Sequence, residues 1–182
     1  MRIISGDFKG RRLGSIKGKN IRPTSDRVKG SIFNVLKDEV ENKKVLDLFA
    51  GTGAWGMEAL SRGAKEVTFV DSSFGSITTI KKNVQILGLE NFRILRGDFK
   101  TILNRLSANS EKFDLIFADP PYLKGLVQKV IDKVIAGSLL SEKGILIIEL
   151  HKKEELKIPE GSLILAQEKK IGDTKTLFFL KK

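Results

Sequence analysis

Residues 45–56 read Val45-Leu-Asp-Leu-Phe-Ala-Gly-Thr-Gly-Ala-Trp-Gly56. An apolar run of strand length passes directly into a glycine cluster, and an amphipathic segment follows to about residue 62. That is the sequence form of a strand, a tight turn and a helix. Gly51, Gly53 and Gly56 spell G-x-G-x-x-G, and Asp71 closes the next apolar run 20 residues after Gly51. Outward from this unit the alternation repeats. Strands are predicted at Glu66–Asp71, Phe92–Arg96, Phe113–Ala118 and Gly144–Leu150, with helices near 74–87, 100–107 and 124–136. Repeated strand and helix predict an α/β fold, a mostly parallel sheet covered on both faces.

Two last strands, about 162–170 and 174–180, flank Gly172-Asp173, a hairpin signal, so the sheet of seven should end in an antiparallel pair. Upstream, Arg2–Ser5 and Arg11–Gly14 are separated by Gly6 and Gly10 and read as a small peripheral hairpin. Pro23, Thr24 and Ser25 precede Val28, Ile32, Val35 and Leu36 at helical spacing, which starts a helix near residue 25. The expected division is an N-terminal arm and helix, 1–43, and a main domain, 44–182.

The 182 residues, 41% hydrophobic and 30% charged, suffice for one packed domain. No apolar run approaches the roughly 18 residues of a membrane helix. The N-terminus carries charges where a signal peptide needs an apolar stretch. A cytoplasmic location without membrane contact is expected. There is no cysteine and one histidine, His151, so thiolate catalysis and multi-histidine metal sites lose their basis, and no metal is expected. The net charge is +11, with nine basic and two acidic residues in positions 1–30. Such an excess is either a solvated face or a surface for a polyanion.

In an α/β sheet, ligands bind beyond the carboxyl ends of the strands. The glycine pattern taken alone suggests a dinucleotide, or only a tight turn. Asp47 argues for a different ligand. A carboxylate within an apolar strand needs a cationic or hydrogen-bonding partner, and a pyrophosphate is the wrong one. S-adenosylmethionine offers an ammonium and a sulfonium, while Asp71 can accept from ribose hydroxyls; a local cap is the plainer role for Asp47. The loop residues Phe49, Ala50, Gly51 and Gly53 complete this candidate cofactor edge. After the third strand, Gly97-Asp98-Phe99 can meet an adenine through Asp98 and cover it with Phe99, or simply make a turn with an Asp cap.

The fourth strand ends in Asp119-Pro120-Pro121-Tyr122. Two prolines stiffen the chain at the ligand edge. Asp119 and the Pro120 carbonyl can accept both hydrogens of one exocyclic amine, and the Tyr122 ring can stack on a flat base. Fixing the amine hydrogens turns its lone pair toward an electrophilic methyl group. The alternative is a rigid turn with an Asp cap.

Asp119-Pro-Pro-Tyr122 together with Asp47-Leu-Phe-Ala-Gly-Thr-Gly53 resembles the class I, S-adenosylmethionine-dependent amino-methyltransferases. Gly6-Asp-Phe-Lys-Gly-Arg-Arg-Leu13, Arg22-Pro-Thr-Ser-Asp-Arg-Val28, Phe33-Asn-Val-Leu36 and Glu58-Ala-Leu-Ser-Arg-Gly-Ala64 narrow the resemblance to the RsmD family, 16S rRNA guanine-N2 methyltransferases. The resemblance spans essentially the whole chain. It implies a Rossmann-like, seven-stranded class I fold and methylation of guanine 966 in the assembled small subunit, 16S rRNA in the 30S particle being the partner. Lys29-Gly30 departs from the family pattern, which has Arg-Glu there, and Trp55 replaces a smaller residue and is expected to pack under the first helix.

With an RNA substrate, Arg11, Arg12, Arg22 and Arg27 become candidate phosphate contacts, although Arg22 or Arg27 can instead pair with Asp26. Thr24 can approach the cofactor or cap the helix. His151 reads as a surface or edge residue. A monomer is expected. Adenine-N6 methylation of DNA or RNA keeps every catalytic assignment. A nicotinamide oxidoreductase leaves Asp47 and Asp119–Tyr122 unexplained, and a noncatalytic RNA-binding module gives no reason for the methyl-transfer motif.

Overall fold

The computed structural model describes residues 1–16 and 26–182. Arg22 and Thr24 lie outside the described residues. Seven strands, β1 Lys44–Leu48, β2 Glu66–Asp71, β3 Phe92–Arg96, β4 Phe113–Ala118, β5 Leu140–His151, β6 Leu163–Ile171 and β7 Thr174–Lys181, form one sheet. Its order is β3-β2-β1-β4-β5-β7-β6. The first five strands are parallel, β7 runs antiparallel to β5, and β6 antiparallel to β7. Gly172 makes the turn of the terminal hairpin with φ +62°.

Helices α1 Asp26–Leu36, α2 Ala54–Ser61 and α3 Phe74–Leu87 share one apolar cluster with one face of the sheet. Helices α4 Phe99–Ala108 and α5 Leu126–Ala136 share the other. Each helix places a stripe of apolar residues inward, such as Val127, Val130, Ile131 and Val134 on α5. α2 is buried along its whole length, and Gly56 makes this close seat possible. A Cβ there would lie 2.4 Å from Phe69 Cε1 and 2.6 Å from Val67 Cγ1 on β2. Trp55 packs as expected, stacked on Phe117 of β4 at 5.5 Å and next to Phe33 of α1 at 6.1 Å.

β5 begins at Leu140, four residues before its expected start. Phe113 pairs with Leu140 but Leu115 with Ile145, so an irregularity in the register absorbs the extra residues. The N-terminal arm is the small hairpin expected. Its two sides are joined by the antiparallel Arg2–Arg12 bridge and by backbone hydrogen bonds from the N–H groups of Ile3, Gly10 and Leu13 to the carbonyls of Arg11, Ile3 and Met1. It departs from expectation in not being peripheral. Ile3 is fully buried and Leu13 nearly so within the α2–α3 side of the core.

The physical reason lies in α2. Glu58 is fully buried, and its carboxylate accepts from the backbone N–H groups of Ile4 and Ser5 at 2.8 and 3.0 Å. It also pairs with Lys29 at 3.1 Å and Arg62 at 2.9 Å. Lys29, counted in sequence among the basic residues of the arm, is therefore an interior residue. Its Nζ donates to the Arg2 carbonyl as well, and burial pulls its pKa down despite the Glu58 charge.

Candidate active site

β1 and β4 are adjacent, with the chain proceeding to β2 and β3 on one side and to β5 on the other. The crevice of such a sheet opens above these two strands, at the switch in strand order. Asp47 of β1, the 49–53 loop, and Asp119–Tyr122 after β4 all stand at this edge.

The loop leaves β1 sharply. Phe49, Gly51 and Gly53 take φ values of +58°, +54° and +79°. Gly53 N–H donates to the Ala50 carbonyl at 2.7 Å, and the Gly51 N–H donates to Asp71 Oδ2 at 2.9 Å. Asp71 Oδ1 accepts from Ser73 N–H at 2.8 Å. Asp71 thus shapes the loop while keeping further acceptor capacity on both oxygens. At Gly53 a side chain would meet Met57, Ile80 and Phe69 within 3.2 Å. Only glycine allows the backbone this close to the core and in this conformation.

Asp47 is completely buried. Its Oδ2 accepts from the Gly56 N–H at 2.9 Å, which is the local cap, whereas Oδ1 has no hydrogen-bond partner. Burial pushes its pKa up to about 7; the Gly56 N–H opposes this shift and the charge of Asp71 adds to it. A buried acceptor beside a glycine cradle fits a ligand that brings a cationic hydrogen-bond donor. The amino-acid end of S-adenosylmethionine has that chemistry; a nicotinamide dinucleotide lacks it.

Gly97 follows β3, and its N–H donates to the Asp71 carbonyl at 3.1 Å, which joins the second and third strand ends. Asp98 caps α4, accepting from the Lys100 N–H at 2.9 Å, and remains exposed. Phe99 is buried, with its ring 5.0 Å from Phe49. These two aromatics form the floor between the first and third strand ends.

At the other side of the crevice, Asp119 is half-buried, Pro120 buried and Pro121 exposed. Tyr122 is held by three residues of two strands, β5 and β7. Its hydroxyl donates to Glu149 Oε1 of β5 at 2.8 Å and lies 3.0 Å from Thr174 Oγ1 of β7. Its ring meets the edge of His151 at 5.8 Å and 60°. Burial and the Glu149 charge push the phenol pKa up, with the Thr174 hydrogen bond opposing, so the hydroxyl stays a proton donor. His151 therefore flanks the motif. Its Nδ1 accepts from the Lys153 N–H at 3.2 Å, which leaves the proton of the neutral ring on Nε2.

Of the basic candidates, Arg11, Arg12 and Arg27 are exposed. Asp26 pairs with Arg2 at 3.3 Å. The sequence reading missed Glu149, Thr174 and Glu58. For Glu149 the signal was present: a carboxylate inside the apolar run 144–150 is as conspicuous as Asp47 in its own strand.

The family described as Conserved hypothetical protein 95 matches residues 1–180. YlbH of Bacillus subtilis is 36% identical over 183 residues, covering 100% of both chains. The ribosomal RNA small subunit methyltransferase D of Haemophilus influenzae is 34% identical over 170 residues, 92% of this chain and 88% of that one. Among solved structures, YhhF of Escherichia coli superposes with a TM-score of 0.86 at 28% identity, covering 100% of this chain and 98% of that one. SMU.776, a methyltransferase-like protein crystallised with S-adenosylhomocysteine, shares the fold alone, at a TM-score of 0.70 and 18% identity over 85% of this chain and 48% of that one. With a full-length family match, relatives of this identity and the class I sheet, the chain belongs to the RsmD family of rRNA methyltransferases.

Proposed function

We propose that the protein methylates the exocyclic N2 amine of guanine 966 of 16S rRNA in the assembled small subunit. The observation that carries this reading is the placing of Asp119-Pro-Pro-Tyr122 across the β1/β4 crevice from the buried Asp47 and its glycine loop. The relatives named small-subunit rRNA methyltransferases support the substrate class.

Asp47, Phe49, Ala50, Gly51, Gly53, Asp71, Gly97, Asp98 and Phe99 hold the cofactor in this reading, with Thr24 and Asp119 completing the set. S-adenosylmethionine supplies a methyl group on a sulfonium, an electrophile that needs no metal. Asp47 receives the ammonium of its amino-acid end, and Asp71 its ribose hydroxyls. Asp119 and the Pro120 carbonyl accept the two hydrogens of the guanine amine, which draws the lone pair out of conjugation with the ring and aims it. Tyr122 forms the stacking wall for a base taken out of its helix. As the nitrogen gains its methyl group it sheds one proton, which the Asp119 carboxylate takes in this reading. Pro121 keeps the segment stiff. Arg11, Arg12, Arg22 and Arg27 bind phosphates beside the crevice.

The test is transfer of a tritiated methyl group to small-subunit particles from a strain lacking this activity, followed by nucleoside identification. N2-methylguanosine is expected. N6-methyladenosine would keep the chemistry and overturn the base, and no transfer despite cofactor binding would overturn the substrate.

A further inference from the structure

Asn83 lies on α3 among Ile80, Val84 and Leu87 and is 1% exposed. A buried amide in an apolar stripe is unfavourable unless its hydrogen-bonding groups are used, and here they are. Its Oδ1 accepts from the Gly14 N–H at 2.7 Å, and Nδ2 donates to the Gly14 carbonyl at 3.3 Å and to the Thr52 carbonyl at 3.0 Å. One side chain thus pairs both polar groups of Gly14, as a neighbouring strand would, and also grips the glycine loop at the peptide between Thr52 and Gly53. The other end of that loop is held by Asp71 through the Gly51 N–H. Thr52 meets the arm a second time, its hydroxyl lying 3.6 Å from Met1 Sδ.

We propose that Asn83 is a positioning residue that joins the cofactor loop to the N-terminal arm, so that cofactor and RNA each strengthen the binding of the other. The inference rests on the functional reading above, in which the 49–53 loop meets the cofactor and the arm meets RNA. The chain leads from Gly14 to Arg22, and Arg11 and Arg12 precede it. A ligand that fixes the Thr52 carbonyl fixes Asn83, and with it the arm at Gly14. The ordering the first ligand has already imposed is not required of the second, and linkage makes the effect reciprocal.

Gly14 supplies a clean lever. It is exposed and its backbone does not need glycine's conformational freedom, yet a Cβ would stand 3.0 Å from Asn83 Oδ1. Gly14→Ala therefore acts by pushing the amide, at a position that is not itself among the proposed ligand contacts.

Binding of S-adenosylhomocysteine and of unmethylated small-subunit particles is measured singly and together for the native protein, Asn83→Ala, Gly14→Ala and the double variant. In the native protein S-adenosylhomocysteine should raise particle affinity about 5- to 20-fold, within the usual range of such couplings. Asn83→Ala should reduce that ratio to about 1 while both ligands still bind. Gly14→Ala should lower it in the presence of Asn83 and change nothing further in the Asn83→Ala background. A merely structural Asn83 would lower melting temperature and leave the ratio intact. A native ratio of 1, an unchanged ratio in Asn83→Ala, or additive effects of the two substitutions would overturn the coupling. Failure of the native protein to bind either ligand would overturn the functional reading, and the coupling with it.

Discussion

The Tyr122 hydroxyl donates to the buried Glu149 carboxylate at 2.8 Å, so the aromatic wall of the crevice is fixed from β5, outside its own segment. The ring and the hydroxyl therefore have separable roles. Base stacking on an aromatic ring is worth about 1–3 kcal/mol, so Tyr122→Ala should weaken particle binding about 5- to 150-fold and leave S-adenosylhomocysteine affinity unchanged. Tyr122→Phe keeps the ring and removes the tether; turnover should fall about 3- to 10-fold with particle affinity nearly native. Steady-state methyl transfer and direct binding separate the two. Full activity in Tyr122→Ala would remove the ring from the base pocket.

In the proposed reading, Asp47 gives cofactor binding a pH dependence with a definite sign. Its pKa of about 7 lies above that of the unfolded chain, so between about pH 4 and 7 the folded protein binds more protons than the unfolded one. Its contribution to the stability of the cofactor-free protein is full below that window and declines as pH rises through 7. An ammonium ligand favours the ionised form, so affinity moves the opposite way. S-adenosylhomocysteine should bind about tenfold more tightly at pH 8 than at pH 6, the change in ionised fraction for such a pKa. Calorimetry at pH 6 in two buffers of different ionisation enthalpy should register proton release. Asp47→Asn should bind weakly and without this dependence. A native affinity flat from pH 6 to 8 would separate Asp47 from the ammonium.

The arm is anchored by the Lys29–Glu58 pair, whose side chains are both fully buried. Breaking a buried pair typically costs about 3–5 kcal/mol. Arg62 and two backbone donors still hold Glu58, which places Lys29→Met near the lower end, about 3 kcal/mol. Denaturant unfolding measures the loss, and amide exchange should accelerate at Ile4 and Ser5 before the rest of the core. A loss under about 1 kcal/mol would show that Arg62 and the two backbone donors satisfy the carboxylate without Lys29.

Much of this arrangement was legible in the sequence because strands and helices declare themselves by apolar period. β2, α3, β3 and β4 stand where the pattern placed them, since their buried faces are local properties. The candidate cofactor edge stood out for a different reason: a carboxylate in an apolar strand and glycines at a turn are locally improbable. What stayed hidden was pairwise. Lys29 in a basic stretch looks like a solvent-facing charge, and only Glu58, 29 residues later, makes it an interior one. Thr174 and His151 meet Tyr122 through strand pairing between β5 and β7, which no local pattern encodes. Asn83 reads as a polar interruption in a helical stripe until Gly14 and Thr52 are brought to it.

Gly56 sits inside α2, where alanine is intrinsically better by about 1 kcal/mol. Packing reverses that preference. The added Cβ would fall 2.4 Å from Phe69 Cε1, and Phe69 is completely buried, so the ring cannot step aside. Overpacking of this kind costs about 1–3 kcal/mol. Moving α2 away from β2 would also lengthen the Gly56 N–H bond to Asp47, so Gly56→Ala should lose both melting temperature and S-adenosylhomocysteine affinity. Gly75→Ala on α3 is the control. Among the described residues its Cβ would meet only Ser73 Oγ at 3.6 Å and Ile16 Cγ2 at 3.8 Å, ordinary contacts, and it should keep or slightly raise stability. Equal behaviour of the two variants would show that α2 slides freely on the sheet, and the rigid link from Gly56 to the Asp47 carboxylate would then be lost as the reason for the third glycine.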